Sequence, residues 1–315
     1  MNEPPLLLRL TMFHFPSGDG YLGGLLLFCV AQAGLHFIRQ ERWQRVLTIV
    51  ARVGLIWSIA VPSPVPLWLI VLFIASLTWL WNEVRRVRAT GNLLTRTRSA
   101  TRVAWGRGLV FAITCIAVLL ELPYRFAPRV MAPSSRLCIV GDSITAGLND
   151  GEDTWPQRLA RSSPWQIMDA SQPGATLKSA LQQATRFDDE PSLLLLEIGG
   201  NDLLEGLPVA QFDRDLEQLL VASRRTNRTV LMFELPLPPL AFQYGATQRR
   251  LAFKYEVALL PKRLLMSVLT TLGATVDGIH LSPNGHELMA QLVAKKLNSN
   301  SLKQGEAGSY RHVGP

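Results

Sequence analysis

Two patterns of apolar residues divide the chain. Up to about residue 125 they come in long runs, and from Arg136 they come in short runs separated by amphipathic stretches. Tyr21–Ile38 holds 18 residues without a charge, enough for one membrane crossing. Val46–Val61 is a second candidate, interrupted by Arg52. Val65–Trp81 is a third, with Trp68, Trp79 and Trp81 near its ends, where aromatic belts form. Leu109–Leu120 reaches spanning length only with Trp105–Gly108 and Glu121–Tyr124 included and Arg107 reaching to the interface. Met1–Gly20 has neither a basic n-region nor a small-residue cleavage site after it. The first run therefore reads as a retained anchor, not a signal peptide.

The second half alternates between strand-like and helix-like periods. Leu137–Val140, Gln166–Ala170, Ser192–Ile198, Thr229–Glu234 and Glu256–Leu260 predict strands. Trp155–Arg161, Leu177–Thr185, Val209–Arg224, Gln248–Lys254, Arg263–Leu272 and Asn284–Leu297 predict helices. Alternation of this kind implies an α/β domain, a parallel sheet covered on both faces. The pattern divides the chain into a membrane region of about four helices (1–125), a Pro-containing linker (126–135), the α/β domain (136–297) and a polar tail (298–315) expected to be disordered.

Charge changes the picture of the first half. The chain of 315 residues carries a formal charge of +8, which by itself suggests nucleic acid. The excess is confined to residues 1–130, with 14 Arg, no Lys and 5 acids, while residues 131–315 carry −1. Arg39, Arg42 and Arg45 lie between the first two apolar segments. Arg85, Arg86, Arg88, Arg96, Arg98, Arg102 and Arg107 lie between the third and fourth. Pro62–Pro64, between the second and third, has no charge. This is the loop bias that orients membrane helices, so no nucleic-acid partner is expected. With four spans, the Arg loops are cytoplasmic and everything after Leu122 lies outside the cytoplasmic membrane. Three cysteines, Cys29, Cys115 and Cys138, sit in apolar runs and form no disulfide framework. None of the five His pairs with Cys or another His at a metal-ligand spacing, so neither metal nor cofactor is expected.

Four features follow the strands. Val140-Gly141-Asp142-Ser143 places a Ser on the turn after the first strand, at the sheet end where open α/β sheets bind ligands. An ordinary helix-capping Ser is the plain alternative. Asp277-Gly278-Ile279-His280 can present a carboxylate and an imidazole together, the first orienting the second toward a hydroxyl. Pro173-Gly174-Ala175-Thr176 and Gly199-Gly200-Asn201-Asp202 follow the second and third strands. There a Gly permits close backbone approach and an Asn amide can donate to an oxyanion. Each motif alone is compatible with turn chemistry. Four of them at one sheet end are not easily so explained. His286 sits at the start of the last helix and reads as a packing or capping residue. Leu235–Phe242 reads equally as an apolar wall for an acyl group or as a rigid connector.

The set Ser143, Gly174, Asn201 and His280 resembles the SGNH superfamily of GDSL-type esterases and lipases. Leu196–Asp202 and Asp277–His286 look like its arylesterase, thioesterase and lysophospholipase subgroup. The resemblance covers about Arg136–Leu297, with Gly-Asp-Ser-Ile where the family has Gly-Asp-Ser-Leu. It implies a flavodoxin-like three-layer sandwich with strand order 2-1-3-4-5. It implies Ser143 as nucleophile, His280 as base and Asp277 as its orienter. The oxyanion hole would be built from the Ser143 and Gly174 N–H groups and the Asn201 side chain. The expected protein is an inner-membrane serine esterase with its hydrolase domain outside, acting on acyl esters, including lipid-derived ones, beside membrane lipids. The other readings are an O-acetyl esterase or acyltransferase on envelope glycans, and a non-catalytic envelope-binding module.

Overall fold

The computed structural model describes residues 11, 13–38, 40–61, 63–89, 93–298 and 309–314. Of the expectations above, those on residues 1–10 and 12, on Arg39, on Pro62, on 299–308 and on Pro315 lie outside the described residues. The chain divides into two compact units, one of Gly18–Pro123 and one of Tyr124 onward together with the segment before Gly18.

The first unit is four helices: α1 (Asp19–Phe37), α2 (Glu41–Ala60), α3 (Leu67–Ala89) and α4 (Leu93–Glu121). Three stretches are long and apolar enough to cross a membrane: Asp19–Phe37, Leu67–Val87 and Thr101–Arg125. Three of the four expected segments thus have the length and composition of a crossing. Helix α2 has the length, but Glu41, Arg42, Arg45 and Arg52 dilute its apolar character. It nevertheless packs closely on α1. A Cβ on Gly24 would lie 2.6 Å from the Gly54 carbonyl oxygen, and one on Gly54 would lie 2.7 Å from that of Gly24. Small residues at such crossings are the usual way helices pack without a hydrophobic driving force. On its outer side α2 exposes Ile49, Val53, Ile56 and Ile59.

The second unit is a parallel sheet of β1 (Arg136–Gly141), β2 (Gln166–Asp169), β3 (Ser192–Glu197), β4 (Arg228–Phe233), β5 (Ala258–Leu260) and β6 (Ser309–His312), in the order β5-β4-β3-β1-β2-β6. The first five follow the expected order. Alternation along the strands feeds two cores. Cys138, Val140, Leu194 and Leu196 join one, with α7 (Leu177–Ala184), α9 (Val209–Ser223) and α10 (Phe242–Lys254) over it. Leu137, Ile139, Leu193 and Leu195 join the other, under α6 (Trp155–Ser162), α11 (Lys262–Leu269) and α12 (Pro283–Asn298). Two short helices, α5 (Ser143–Ala146) and α8 (Gly200–Leu204), follow β1 and β3 directly.

Two expected boundaries are corrected. Stretch 126–135 is not a free linker: Val130 is buried in the second core, the Thr229 hydroxyl donates to the Met131 carbonyl, and the Ser134 hydroxyl to that of Pro191. Just before it, the Tyr124 ring lies 3.7 Å from the Arg249 guanidinium, which is paired with the buried Glu234 at 2.7 Å. The tail is not wholly disordered either. Ser309–His312 pairs with β2, the Val313 N–H donates to the Asp169 carbonyl, and the Tyr310 hydroxyl lies 3.2 Å from the Asp169 carboxylate.

Gly285 is where the fold tolerates least change. A Cβ there would lie 1.9 Å from the Ala274 carbonyl oxygen, which accepts from the Ser282 N–H. Gly285→Ala should cost about 1–3 kcal/mol, as overpacking does. A fall of roughly 2–4 °C in melting temperature per kcal/mol follows. A thermal melt of the full-length protein checks this.

Candidate active site

The turns that leave β1, β2 and β3 lie at one sheet end and are bonded to one another. Gly141 closes β1. Its N–H donates to the Gln183 side-chain oxygen, and its carbonyl accepts from the Gln183 amide and from the Gln172 N–H. A Cβ on Gly141 would lie 2.6 Å from the Thr145 side chain, so only Gly fits there. Asp142 caps α5 by accepting the Ile144 N–H at 2.9 Å, and Ser143 follows as the first helical residue, mostly buried. Capping by the preceding residue relieves Ser143 of that role, so the plain reading of a capping Ser does not hold.

Gly174 lies at φ +72°, in a turn closed by the Ala175 N–H on the Gln172 carbonyl. Asn201 lies in the first turn of α8, and its amide donates to the Ala175 carbonyl at 2.8 Å. That bond uses one of the amide's two hydrogens and sets its position. The neighbouring Asp202 accepts the Leu177 N–H at 2.9 Å, tying the turn after β2 to α8 a second time. Burial holds the Asp202 carboxyl above its ordinary range.

The Asp277–His280 loop is closed by a bridge between Thr275 and Leu281. Asp277 does three things there. One oxygen accepts the N–H groups of Ile279 (3.0 Å) and His280 (2.8 Å), and the other faces His280 Nδ1 at 2.5 Å. The ring bond first, then the two backbone bonds, push the Asp277 carboxyl down to about 2. Electrostatic interaction between His280 and Asp142 links this loop to the turn that holds Ser143.

His286 is a fully buried structural residue, as expected. Its Nδ1 accepts the Trp155 N–H, and Nε2 lies 3.3 Å from Glu152. Glu152 in turn accepts the Leu148 and Asn149 N–H groups, fixing the loop after α5. Of the Pro-rich segment, Leu235 and Leu237 are buried in the core, as a connector would be, while Leu240 is exposed at φ +69°. Among the described residues no cluster of His, Cys, Asp or Glu has the arrangement of a metal site. Sequence reasoning missed Glu197, Asp202 and Gln183. Each is a polar residue in an otherwise apolar strand end or helix face, and that conflict was the available signal.

The model of the GDSL-like lipase/acylhydrolase family matches residues 139–288. The thioesterase 1/protease 1/lysophospholipase L1 of Escherichia coli K12 is 30% identical over 195 residues, covering 56% of this chain and 91% of that protein. The chain belongs to the GDSL-like lipase/acylhydrolase family. It is an enzyme of the GDSL/SGNH esterase type. An arylesterase of Vibrio mimicus is 26% identical over 180 residues, covering 52% of this chain and 88% of its own. The solved structure of TesA is 28% identical with a TM-score of 0.44, covering 53% of this chain and 99% of that one. The family match at residues 139–288 leaves the apolar helices outside it.

Asp277 is ionised at its ordinary pKa and held lower when folded, so its contribution to the loop is present above pH 3.8 and lost as pH falls through about 2. A carboxyl-detected NMR titration of Asp277 should give a midpoint near 2. A midpoint near the ordinary value would mean that the His280 contact is not formed in solution.

Proposed function

We propose that this chain is a membrane-anchored serine esterase of acyl esters, with Ser143 as nucleophile, His280 as base and Asp277 as orienter. The observation that carries the reading is the Asp277–His280 contact. It engages Nδ1 and leaves Nε2 as the ring nitrogen for a hydroxyl, in a loop electrostatically linked to the turn that holds Ser143.

The mechanism follows from these parts. Ser143 Oγ attacks the acyl carbon as its proton passes to His280 Nε2. The developing oxyanion takes hydrogen bonds from the Ser143 and Gly174 N–H groups and the second Asn201 amide hydrogen. A single such donor is worth about 3–4 kcal/mol in the transition state. Collapse expels the alcohol or thiol with the proton from His280 and leaves an acyl group on Ser143. Water, deprotonated by His280, then attacks the acyl-enzyme and frees the acid. An acceptor alcohol in place of water would make the same site an acyltransferase, and an acetylated glycan in place of a lipid would make it a deacetylase. The apolar helices favour lipid-derived esters. The exposure of Leu240, after β4, supports the reading of that segment as a wall for an acyl group.

Anchoring is read from the apolar helices. The arginine pattern favours four crossings over three, because only then do both Arg-rich loops fall on one side. The glycine contact between α1 and α2 and the outward isoleucines of α2 support its crossing despite Arg52. The hydrolase unit is then extracytoplasmic.

Ser143→Ala should abolish hydrolysis of nitrophenyl esters in a protein that still folds, and a phosphonate probe should label the parent chain at Ser143 alone. Labelling that survives the substitution would remove Ser143 from its role. Asn201→Ala should lower kcat roughly 100–1,000-fold with little change in KM, as for a transition-state contact. For sidedness, a reporter active only outside the cytoplasm, fused after Pro133, should be active, and one active only inside should be silent. The reverse pattern would mean that α2 does not cross.

A further inference from the structure

Beneath the nucleophile turn lies a group the mechanism above does not use. Glu197, the last residue of β3, is buried (2% exposed) and pairs in register with Gly141 of β1. Its carboxyl neighbours that of Asp142, also buried at 3% exposed. The remaining contacts of the two carboxyls are specific. The Thr145 hydroxyl donates to Glu197 Oε2 at 2.9 Å, and the Ile144 N–H donates to Asp142 Oδ1 at 2.9 Å. The Gly200 Cα hydrogen faces Asp142 Oδ2, where a Cβ would lie 3.5 Å away.

Two carboxyls in contact away from water cannot both be ionised, because like charges at that separation repel strongly in a low dielectric. The Ile144 N–H favours the ionised form of Asp142, so two protonated carboxyls would weaken that bond. The arrangement that satisfies every contact is one proton between them, on Glu197 and donated to Asp142. The charged groups around the pair agree with this assignment. His280 favours the ionised form of Asp142, whereas Asp202 opposes it. For Glu197, burial first and the neighbouring Asp142 carboxyl second hold it well above an ordinary Glu.

We propose that Glu197 and Asp142 share a single proton, and that this bond is a positioning device that clamps the turn bearing Ser143 to the strand end that leads into Asn201. The inference rests on the role of Ser143 proposed above. Asp142 precedes Ser143 by one residue, and Glu197 precedes Asn201 by four, so the clamp sets the spacing of nucleophile and oxyanion donor. Removing the proton would loosen that spacing and place a second negative charge under the point where the oxyanion forms. Because the folded state raises the affinity of Glu197 for the proton, the stabilisation is full below the ordinary Glu value and is lost as pH rises through the folded value.

The test uses the full-length protein in detergent. Glu197→Gln replaces the shared proton with an amide donor of the same shape. It should keep kcat at neutral pH within about threefold, the scale of one net hydrogen bond. Its kcat should no longer show the wild-type fall at alkaline pH that the pair imposes. Glu197→Ala should lose about 100-fold in kcat with KM little changed, as a small misplacement of reacting groups does. Infrared spectroscopy should show a protonated-carboxyl band in wild type, shifted by D2O, that is missing from Glu197→Gln. That band does not depend on catalysis, so it separates this proposal from the role of Ser143. A wild type without the band, or a Glu197→Gln variant as impaired at neutral pH as Glu197→Ala, overturns the clamp even where Ser143 is labelled as expected.

Discussion

The hydrolase unit depends on one constraint: β1 is hydrogen-bonded in parallel to β2 on one side and β3 on the other. Parallel pairing sends three successive turns out of the same sheet end. Residues far apart in sequence, at 143, 174 and 201, are therefore delivered to one edge without any contact between their side chains being required. The contacts that do exist join the turns. The Gln172 N–H reaches the Gly141 carbonyl, the Asn201 amide reaches the Ala175 carbonyl, and Asp202 takes the Leu177 N–H. Deletion of any one would leave a buried polar group without its partner, which costs more than the bond's net worth.

Carboxyls at this edge differ in protonation because their surroundings differ. Asp277 is half exposed, accepts two backbone N–H groups and meets an imidazole, so its charge is favoured. Glu197 is enclosed, receives a hydroxyl and faces another carboxyl, so its neutral form is favoured. One acid type thus serves as a permanent anion in the loop and as a proton donor beneath the turn. No metal or exogenous group is needed for that separation.

Much of the fold could be read from period alone. The strands β1 to β4 and the helices α6, α7, α9 and α12 come from runs whose apolar residues match one period throughout, and their observed bounds differ from expectation by a residue or two. Gly174 and Asn201 stood out because they follow such runs, and Asp277 and His280 because they lie three residues apart in a loop bounded by Gly and Pro. What escaped has a physical cause in each case. Helix α10 begins at Phe242, earlier than expected, because Gln243 and Gly245 dilute its start. Asn201 looked like a loop residue, since a five-residue helix has too few positions to show a period. Strand β6 reads Ser-Tyr-Arg-His and presents only Tyr310 inward, so it carries almost no hydrophobic signal. The α2 segment is ambiguous for the reason the structure also shows: an apolar outer face and a glycine contact combined with an arginine near its middle.

That polar strand has a consequence for how the enzyme stays dispersed. Without β6, the outer edge of β2 would present a row of unpaired N–H and C=O groups next to the buried Ile167 and Asp169. Such an edge recruits strands from other molecules. The opposite edge is β5, only three residues long and so a poor template. Four residues remote from Ser143 therefore act as a guard against intermolecular sheet extension, and their loss would surface as aggregation before it surfaced as lost catalysis.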